Sequence, residues 1–286
     1  MTEGQNFPFL FGVNEFTTQP WSFEEDVRRY QELGVQAIEV CEAKLDAGRV
    51  AEQMKYVAGS GMKISSVQPA VRTFFGSRMM PSPEGTEARV KAFRKSLEIL
   101  APFTPGSVFV CNTGAPPAGN VRKTIDDTVR YLRELCPLAA DLGVSIALEP
   151  LNPVSMNVES AIWTIAQTMD VIDAVGHRAM GLCLDYWNIW QENDVEAQIR
   201  RAGDRITVVQ ASDWRVPYSA ADRLVPGDGA IPLGALMKAT REAGFRGACT
   251  VEIFSDGVPD SLYDGDLREV IRRSRAGLEK AWQAIG

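Results

Sequence analysis

The sequence has little histidine, little basic charge and no long apolar run. Its one histidine is His177, and its 5 cysteines contain no CxxC pair, so zinc-finger spacing and a disulfide framework are both absent. Its 30 Lys and Arg residues against 37 Asp and Glu give a net charge of −7; because nucleic-acid binding normally requires a basic face, we expect no nucleic-acid partner. No segment approaches the roughly 18 apolar residues of a membrane span, so we expect no membrane partner either.

The composition, with 45% hydrophobic and 23% charged residues, is typical of an ordinary globular protein. Its 286 residues suit one barrel of about 250 residues, so the range 1–286 is expected to form a single domain. The first residues, MTEGQNFPF, lack the basic flank and the apolar core of a secretory signal, and we therefore expect a cytoplasmic protein.

Strand patterns and helix patterns alternate along the chain. Strands are predicted at 9–14, 35–41, 63–68, 107–111, 143–149, 181–185, 206–210 and 248–252. Helices are predicted at 22–33, 46–58, 84–100, 121–142, 159–175, 195–202, 232–243 and 266–284. Such strict alternation predicts an α/β fold, a (β/α)8 TIM barrel of parallel strands. Cys41, Cys111, Cys183 and Cys249 fall inside the strands and are expected to be buried thiols.

The segment GVSIALEPLNP, at 143–153, indicates how one strand delivers a functional group. Its alternation puts Val144, Ile146 and Leu148 on one face and Ser145, Ala147 and Glu149 on the other. Large residues outward and small residues inward suit a closed barrel that is covered by helices. Because the following Pro150 cannot donate to a strand ladder, Glu149 is expected at the mouth, where barrel enzymes place their chemistry.

Three later strands also end in an oxygen-bearing side chain of inward parity. The four ends are Glu149, Asp185, Gln210 and Glu252. Three carboxylates at one mouth would repel and raise one another's pKa unless a cation lies among them, so a divalent metal is expected. The alternative is that the carboxylates hydrogen-bond Arg72, Arg223 or Lys44 across the mouth.

The loops at this end supply candidate substrate contacts, each with a structural alternative. Loop 69–83 is either a lid over substrate or a surface insertion packed by its own aromatic residues. Arg223 is a candidate for holding a substrate oxygen, with a salt bridge to Asp222 or Asp228 as the alternative. Asn152 and Asn188 are candidate hydroxyl partners or else loop-capping residues. The remaining candidates are an apolar floor (Trp187, Trp190, Trp214), an orienting residue (Asp213) and three polar residues without an assigned role (Glu15, Glu42, Gln68).

Distinct motifs surround the four strand ends: LEPLN around Glu149, LCLDYWNIW around Asp185, VVQASDWRVP with DRLVPGDGAI around Gln210, and TVEIFS around Glu252. Together they resemble the sugar isomerase/epimerase superfamily with the xylose isomerase-like barrel. The resemblance covers nearly the whole chain and implies that these four residues bind one divalent metal. Because the superfamily contains ketose 3-epimerases, keto-inositol isomerases, inosose dehydratases and related lyases, the resemblance does not identify the substrate.

The chain departs from the common pattern at two positions. Many members have a histidine at the position of Gln210 and another at that of Asn188, and this chain has neither. All ligands would then be oxygens, so we expect Mn²⁺ first and Mg²⁺ as the alternative, with zinc disfavoured. The superfamily's DNA-repair endonucleases need several histidines for a zinc cluster, and His177, which precedes the sixth strand, is expected at the opposite end of the barrel.

A metal that chelates a ketone oxygen and a neighbouring hydroxyl would stabilise the enediolate formed when the adjacent C–H is deprotonated. Glu149 and Glu252 are the candidate bases, and they would give epimerisation or isomerisation of a keto-sugar or keto-polyol, expected to be non-phosphorylated. A keto-sugar dehydratase or lyase that uses the same site is one alternative, and a barrel that only binds a sugar is another. The sequence leaves the oligomeric state open, a homo-oligomer included.

Overall fold

The computed structural model describes residues 7–219 and 221–285, and within them parallel strands form a closed eight-stranded barrel. The strands pair in chain order, and the last closes the ring against the first. They are β1 Leu10–Asn14, β2 Ala37–Cys41, β3 Lys63–Gln68, β4 Val108–Cys111, β5 Ser145–Leu148, β6 Met180–Asp185, β7 Ile206–Ala211 and β8 Ala248–Val251. The predicted barrel is confirmed, while the single domain over 1–286 stays a prediction. Residues 1–6, on which the expectation about a secretory signal depends, lie outside the described residues.

Helices follow the strands and cover the outside of the barrel. They are α1 Phe23–Glu32, α2 Val50–Gly59, α3 Thr86–Leu100, α4 Val121–Asp141, α5 Ile165–Val175, α6 Tyr186–Ile189, α7 Val195–Ala202, α8 Leu233–Glu242 and α9 Leu267–Gln283. Over the residues that the structure describes, none of the helices combines the length and the hydropathy needed to span a membrane.

Two predicted helix starts are wrong. The helix predicted at 159–175 begins at Ile165, because Thr164 and Gln167 form a capping box there. The residues before it form a loop, which brings Glu159 to the mouth of the barrel. The helix predicted from residue 46 begins at Val50 instead, since the Asp46 side chain accepts from a backbone N–H two residues later and stabilises a turn.

The predicted alternation of the strands is confirmed. An apolar cluster of inward parity lies inside the barrel and consists of Val108, Val110, Ala147, Cys183 and Val208. The outward aliphatic residues of the same strands, such as Ile146, Leu148 and Leu182, belong to the larger core between strands and helices. The strand cysteines are buried and unpaired, as expected. Small apolar side chains therefore fill the middle of the barrel, and polar side chains occupy the layer above, at the carboxyl ends of the strands.

Candidate active site

Glu149, Asp185 and Glu252 meet at the carboxyl end of the barrel. Asp185 is the last residue of β6, whereas Glu149 and Glu252 directly follow β5 and β8. Their side chains are at most 5% exposed, and one oxygen of each lies within 4.8 Å of the others. We call these three residues the acidic cluster, and its members are the three carboxylates that the strand ends predict to converge.

Burial and mutual repulsion make the acidic cluster difficult to ionise. Burial, followed by the charge of Asp185, raises the pKa of Glu149 from 4.5 to about 7. Burial also raises the pKa of Asp185, and it raises the pKa of Glu252 well above 4.5, in both cases against the opposing charge of Arg223. A cation held among the three carboxylates would favour their charged forms.

Arg223 supplies one positive charge to the acidic cluster. Its Nη1 donates to Asp185 Oδ2 at 2.8 Å and to Glu252 Oε2 at 2.9 Å, and the side chain is almost fully buried. The guanidinium lies over two aromatic rings, 4.9 Å from the centroid of Trp187 and 5.0 Å from that of Phe254. When all groups are ionised, three carboxylates and one guanidinium leave two negative charges unbalanced.

The position of Arg223 decides between two expectations from the sequence. The predicted salt bridge from Arg223 to Asp222 or Asp228 is wrong, because Asp222 pairs with Arg215 and Asp228 pairs with Arg273. The expectation that an arginine bonds the carboxylates is correct for Arg223. Lys44 instead pairs with Asp26, and Arg72 lies over an aromatic ring at the cavity wall.

Asparagine side chains orient the carboxylate of Glu149. Asn112 Nδ2 donates to Oε2 at 3.0 Å, and Asn188 Nδ2 donates to Oε1 at 2.8 Å and to Asp185 Oδ2 at 2.8 Å. Sequence reasoning missed Asn112, although it continues the inward parity of β4. Asn152 Oδ1 accepts from the backbone N–H of Val154 in its own loop, as the loop-capping alternative predicts, and its Nδ2 donates to the carbonyl of Trp187 in α6.

Gln210 contacts a second buried carboxylate, Glu39, which sequence reasoning also missed. Gln210 Nε2 donates to Glu39 Oε2 at 2.9 Å and to Glu252 Oε1 at 3.0 Å, while its Oε1 accepts from the Cys183 thiol at 3.1 Å. Glu39 is fully buried in the middle of β2 and shares the inward parity of Ala37. The sequence feature that could have identified Glu39 is a single carboxylate at an inward position of an otherwise apolar strand, AIEVC.

Loop 69–83 covers a cavity beside the acidic cluster. The cavity has a volume of about 70 Å³, and the loop contributes Arg72, Ser77 and Met79 to its wall. An aromatic residue of the same loop, Phe74, packs into the core against the side chains of α3 and α4. The loop therefore lines the site and is anchored by an aromatic residue, while closure over a substrate stays a prediction.

Contacts from three directions hold this loop in place. The Arg89 side chain, from α3, donates to a hydroxyl and to a backbone carbonyl of the loop, both at 2.6 Å. Glu159 accepts from the backbone N–H of Met79 at 3.1 Å. Gly114, in the loop after β4, has a φ of +81°, and a Cβ at its position would lie 2.1 Å from the carbonyl oxygen of Phe75. The loop after β4 therefore touches loop 69–83 directly.

The remaining candidates separate into residues at the cavity and residues away from it. Trp187 and Gln68 line the cavity. Trp190 and Trp214 pack on each other with ring centroids 5.1 Å apart, and Asp213 accepts backbone N–H groups of its own loop. Glu15 and Glu42 accept backbone N–H groups of Cys41 and Ala70, and His177 lies before β6, at the opposite end of the barrel.

Comparison with known proteins agrees with this fold. The family model described as the xylose isomerase-like TIM barrel matches residues 27–281. The crystal structure of a protein from Sinorhizobium meliloti 1021 superposes with a TM-score of 0.83 at 25% identity, over 95% of this chain and 98% of that one. The IOLI protein, crystallised with a bound zinc atom, superposes with a TM-score of 0.78 at 22% identity, over 96% of this chain and 98% of that one.

Curated relatives include isomerases, epimerases and a dehydratase. An inosose isomerase of Bacillus velezensis is 29% identical over 191 residues, 63% of this chain and 64% of that protein. A D-psicose 3-epimerase of Enterocloster bolteae is 31% identical over 128 residues, 44% of this chain and 39% of that protein. A 3-dehydroshikimate dehydratase of Pseudomonas putida is 26% identical over 237 residues, 78% of this chain and 35% of that protein. The chain thus spans less than two thirds of the length of each.

Proposed function

The chain belongs to the xylose isomerase-like TIM barrel family, and from this premise we propose that it is a divalent-metal-dependent isomerase or epimerase of a keto-sugar or keto-polyol. The relatives named inosose isomerase and D-psicose 3-epimerase support this class of reaction. Since they match over only part of their length, the particular substrate has to come from experiment.

The observation that carries the proposal is the unbalanced charge of the acidic cluster. Buried charges are normally paired, and Arg223 neutralises only one of the three carboxylates. The raised pKa of Glu149 reflects the unfavourable free energy of ionising the cluster as it stands. One divalent cation would balance the remaining two charges and lower these pKa values.

The residues present fit a hard divalent ion. Glu149, Asp185 and Glu252 offer carboxylate oxygens close to one another, and such oxygens suit Mn²⁺, with Mg²⁺ as the alternative. Gln210 turns its Nε2 toward the cluster and its Oε1 toward Cys183, so we propose the three carboxylates as ligands, and ligation by Gln210 stays a prediction. The IOLI protein, which has the same fold, holds a zinc atom.

When bound, the ion would act as a Lewis acid toward the carbonyl group of the substrate and favour loss of a neighbouring proton. The base has to be a carboxylate, because the one histidine of the chain lies at the other end of the barrel. Glu149 suits this role, since it lines the cavity and a bound ion would keep it in the charged form that can accept a proton. The guanidinium of Arg223 lines the cavity, and we propose that it donates to a substrate oxygen.

Glu252 is the second proposed proton carrier, and it also lines the cavity. If one carboxyl removes the proton and the other returns a proton to the opposite face of the same carbon, the centre is inverted and the sugar is epimerised. If the proton returns to the adjacent carbon, the product is the isomeric sugar. Epimerisation needs two proton carriers on one cavity, whereas isomerisation can use one, and we propose Glu149 and Glu252 for these roles.

A keto-sugar dehydratase is the second candidate, because the 3-dehydroshikimate dehydratase of Pseudomonas putida matches 78% of this chain. Proton removal beside the carbonyl would then be followed by loss of a hydroxyl from the next carbon. The two candidates differ in their products, since only the dehydratase forms a new double bond.

The test compares the metal content and the exchange chemistry of three proteins. The native chain, a Glu149→Gln/Glu252→Gln variant and a Glu42→Gln/Glu192→Gln control are analysed for metals and then incubated with a panel of ketoses in deuterium oxide. Glu192 accepts from the backbone N–H of Ile165 at the start of α5, and neither control residue lines the cavity. We expect about one Mn²⁺ or Mg²⁺ per chain in the native protein and the control, with none in the first variant. In the incubation with the native protein, deuterium should enter a sugar at the carbon beside its carbonyl group.

Three other outcomes would redirect the proposal. Release of water with a new alkene would identify the dehydratase. Metal binding without exchange from any ketose would favour a barrel that only binds sugars. A native protein that is metal-free and cannot be loaded with either ion would refute the metal-dependent mechanism.

A further inference from the structure

Three side-chain amides connect Glu39 to Glu252 beneath the acidic cluster. Asn14 Nδ2 donates to Glu39 at 2.6 Å and to Glu252 at 3.0 Å. Gln68 Nε2 donates to both at 3.3 Å, and Gln210 Nε2 donates to them at 2.9 and 3.0 Å. We call these five residues the amide bridge. It joins side chains from β1, β2, β3 and β7 to the residue that follows β8.

All three amides converge on the same oxygen of Glu252. Its Oε1 accepts from each of them, which leaves Oε2 facing the guanidinium of Arg223 at 2.9 Å. An oxygen that already accepts three N–H groups has no free acceptor position. The Glu252 carboxylate therefore cannot rotate without breaking several buried hydrogen bonds, and the bridge determines which oxygen is presented to the acidic cluster.

The orientation of each amide depends in turn on Glu39. An amide group has two N–H hydrogens, and here they are shared between two carboxylates. If an amide turned over, its oxygen would lie against two carboxylate oxygens at about hydrogen-bond distance, which is unfavourable in a buried site. Glu39 is fully buried and, among the described residues, is not one of those that line the cavity.

We propose that Glu39 is a positioning residue of the active site. By orienting three amides, it fixes the Glu252 carboxylate with Oε2 toward the acidic cluster, much as a carboxylate partner orients a metal-binding histidine. The inference rests on the proposed function of Glu252 as a metal ligand and proton carrier. Glu39 acts through the bridge, without contact with the substrate.

The first test measures Mn²⁺ affinity in two variants of Glu39. Glu39→Gln keeps the size of the side chain but replaces one acceptor oxygen by an NH₂ group, so at least one amide has to turn and direct its oxygen at Glu252. We expect the Mn²⁺ dissociation constant to rise by roughly 10- to 100-fold, with a changed Mn²⁺ EPR line shape. Glu39→Asp keeps the carboxylate but shortens the side chain. If Glu39 acts by orienting the amides, this variant should also bind Mn²⁺ more weakly. If Glu39 acted only through its charge, the variant should bind Mn²⁺ with native affinity.

The matched control is Glu15→Gln, which makes the same substitution at another fully buried glutamate. The Glu15 side chain accepts from the backbone N–H of Cys41 and is not hydrogen-bonded to Glu39, Glu252 or the three amide groups, although Glu15 follows Asn14 in the chain. This control should bind Mn²⁺ with native affinity. Native affinity and an unchanged spectrum in both Glu39 variants would overturn the inference.

A second test needs no metal and no variant of Glu39 that might misfold. In the native protein with ¹⁵N-labelled glutamine, the side-chain NH₂ of Gln210 should exchange with solvent slowly, because both carboxylates hold it in a buried site. Fast exchange would overturn the amide bridge. If exchange is slow but the protein binds no Mn²⁺, the amide bridge is supported and only the proposed function is refuted.

Discussion

Replacing Glu149 by glutamine should change how the stability of the metal-free protein depends on pH. The pKa of Glu149 is raised from 4.5 to about 7 in the folded protein, so the folded state binds more protons than the unfolded state between these values. Its contribution to stability is fully present below pH 4.5 and is lost as the pH rises through 7. With about 1.4 kcal/mol per pKa unit, the whole loss is about 3 kcal/mol.

The assay is denaturant unfolding of the native chain and of Glu149→Gln, both stripped of metal. Glutamine does not titrate, so the free energy of unfolding of the native chain should fall relative to the variant by about 2 kcal/mol between about pH 5.5 and 8.5. Saturating Mn²⁺ should abolish this fall, because an ion bound to the carboxylate favours its charged form. A difference between the two proteins that stays constant over this pH range would refute the argument from burial and repulsion.

Three further substitutions and one control test other parts of the site. Arg223→Met should lower the free energy of unfolding by about 3–5 kcal/mol, since it leaves two buried carboxylates unpaired, and a loss that added Mn²⁺ does not reduce would contradict this explanation. Gly114→Ala should lower the free energy of unfolding by about 3 kcal/mol in the same assay, because the new Cβ would overlap the backbone of loop 69–83 at Phe75. Gly119→Ala, at a similar positive φ but in open space, should lower it by only about 1 kcal/mol, and equal effects of the two would contradict the predicted overlap. Glu159→Ala should speed limited proteolysis within loop 69–83, because Met79 loses its acceptor; an unchanged cleavage rate would show that Glu159 does not hold the loop.

The fold could be predicted because it follows from patterns that repeat along the chain. Strand parity alone indicated the inward position of Ala147 and Cys183 and the meeting of Glu149, Asp185 and Glu252. Each of these conclusions needs only the period of a strand and the rule that parallel strands in a barrel end at the same side.

Contacts that depend on a side chain's reach or on a loop's path could not be decided in this way, and for Arg223 the sequence left both the carboxylates and its neighbouring aspartates open as partners. Arg223 bonds Asp185 and Glu252, and not its neighbours Asp222 and Asp228, because the loop after β7 folds the guanidinium back into the barrel. Its burial cannot be inferred from its sequence neighbourhood.

Two features that were not predicted, the role of Glu39 and the start of α5, nevertheless have a signal in the sequence. In each case a second pattern in the sequence favoured a different prediction. The inward parity of Glu39 is visible in β2, but Glu39 lies in the middle of its strand, whereas the rule that barrel sites form at strand ends favours residues at the mouth. The start of α5 at Ile165 was obscured because Glu159 extends the helical pattern toward the amino end, although Thr164 and Gln167 carry the capping box. Only the second case shows local chemistry overriding a periodic pattern, because Glu39 obeys the parity of its strand.

The hydrogen bond between Asn14 and Glu252 joins residues that are 238 positions apart, at the junction where β8 meets β1. No fragment that ends before residue 252 can assemble the site, however well its first strands fold. During synthesis, the site can therefore form only after the last strand has left the ribosome and docked. In refolding, recovery of metal affinity would report the closing of the ring and not the earlier collapse of the core, which makes the ion a probe for the final step of assembly.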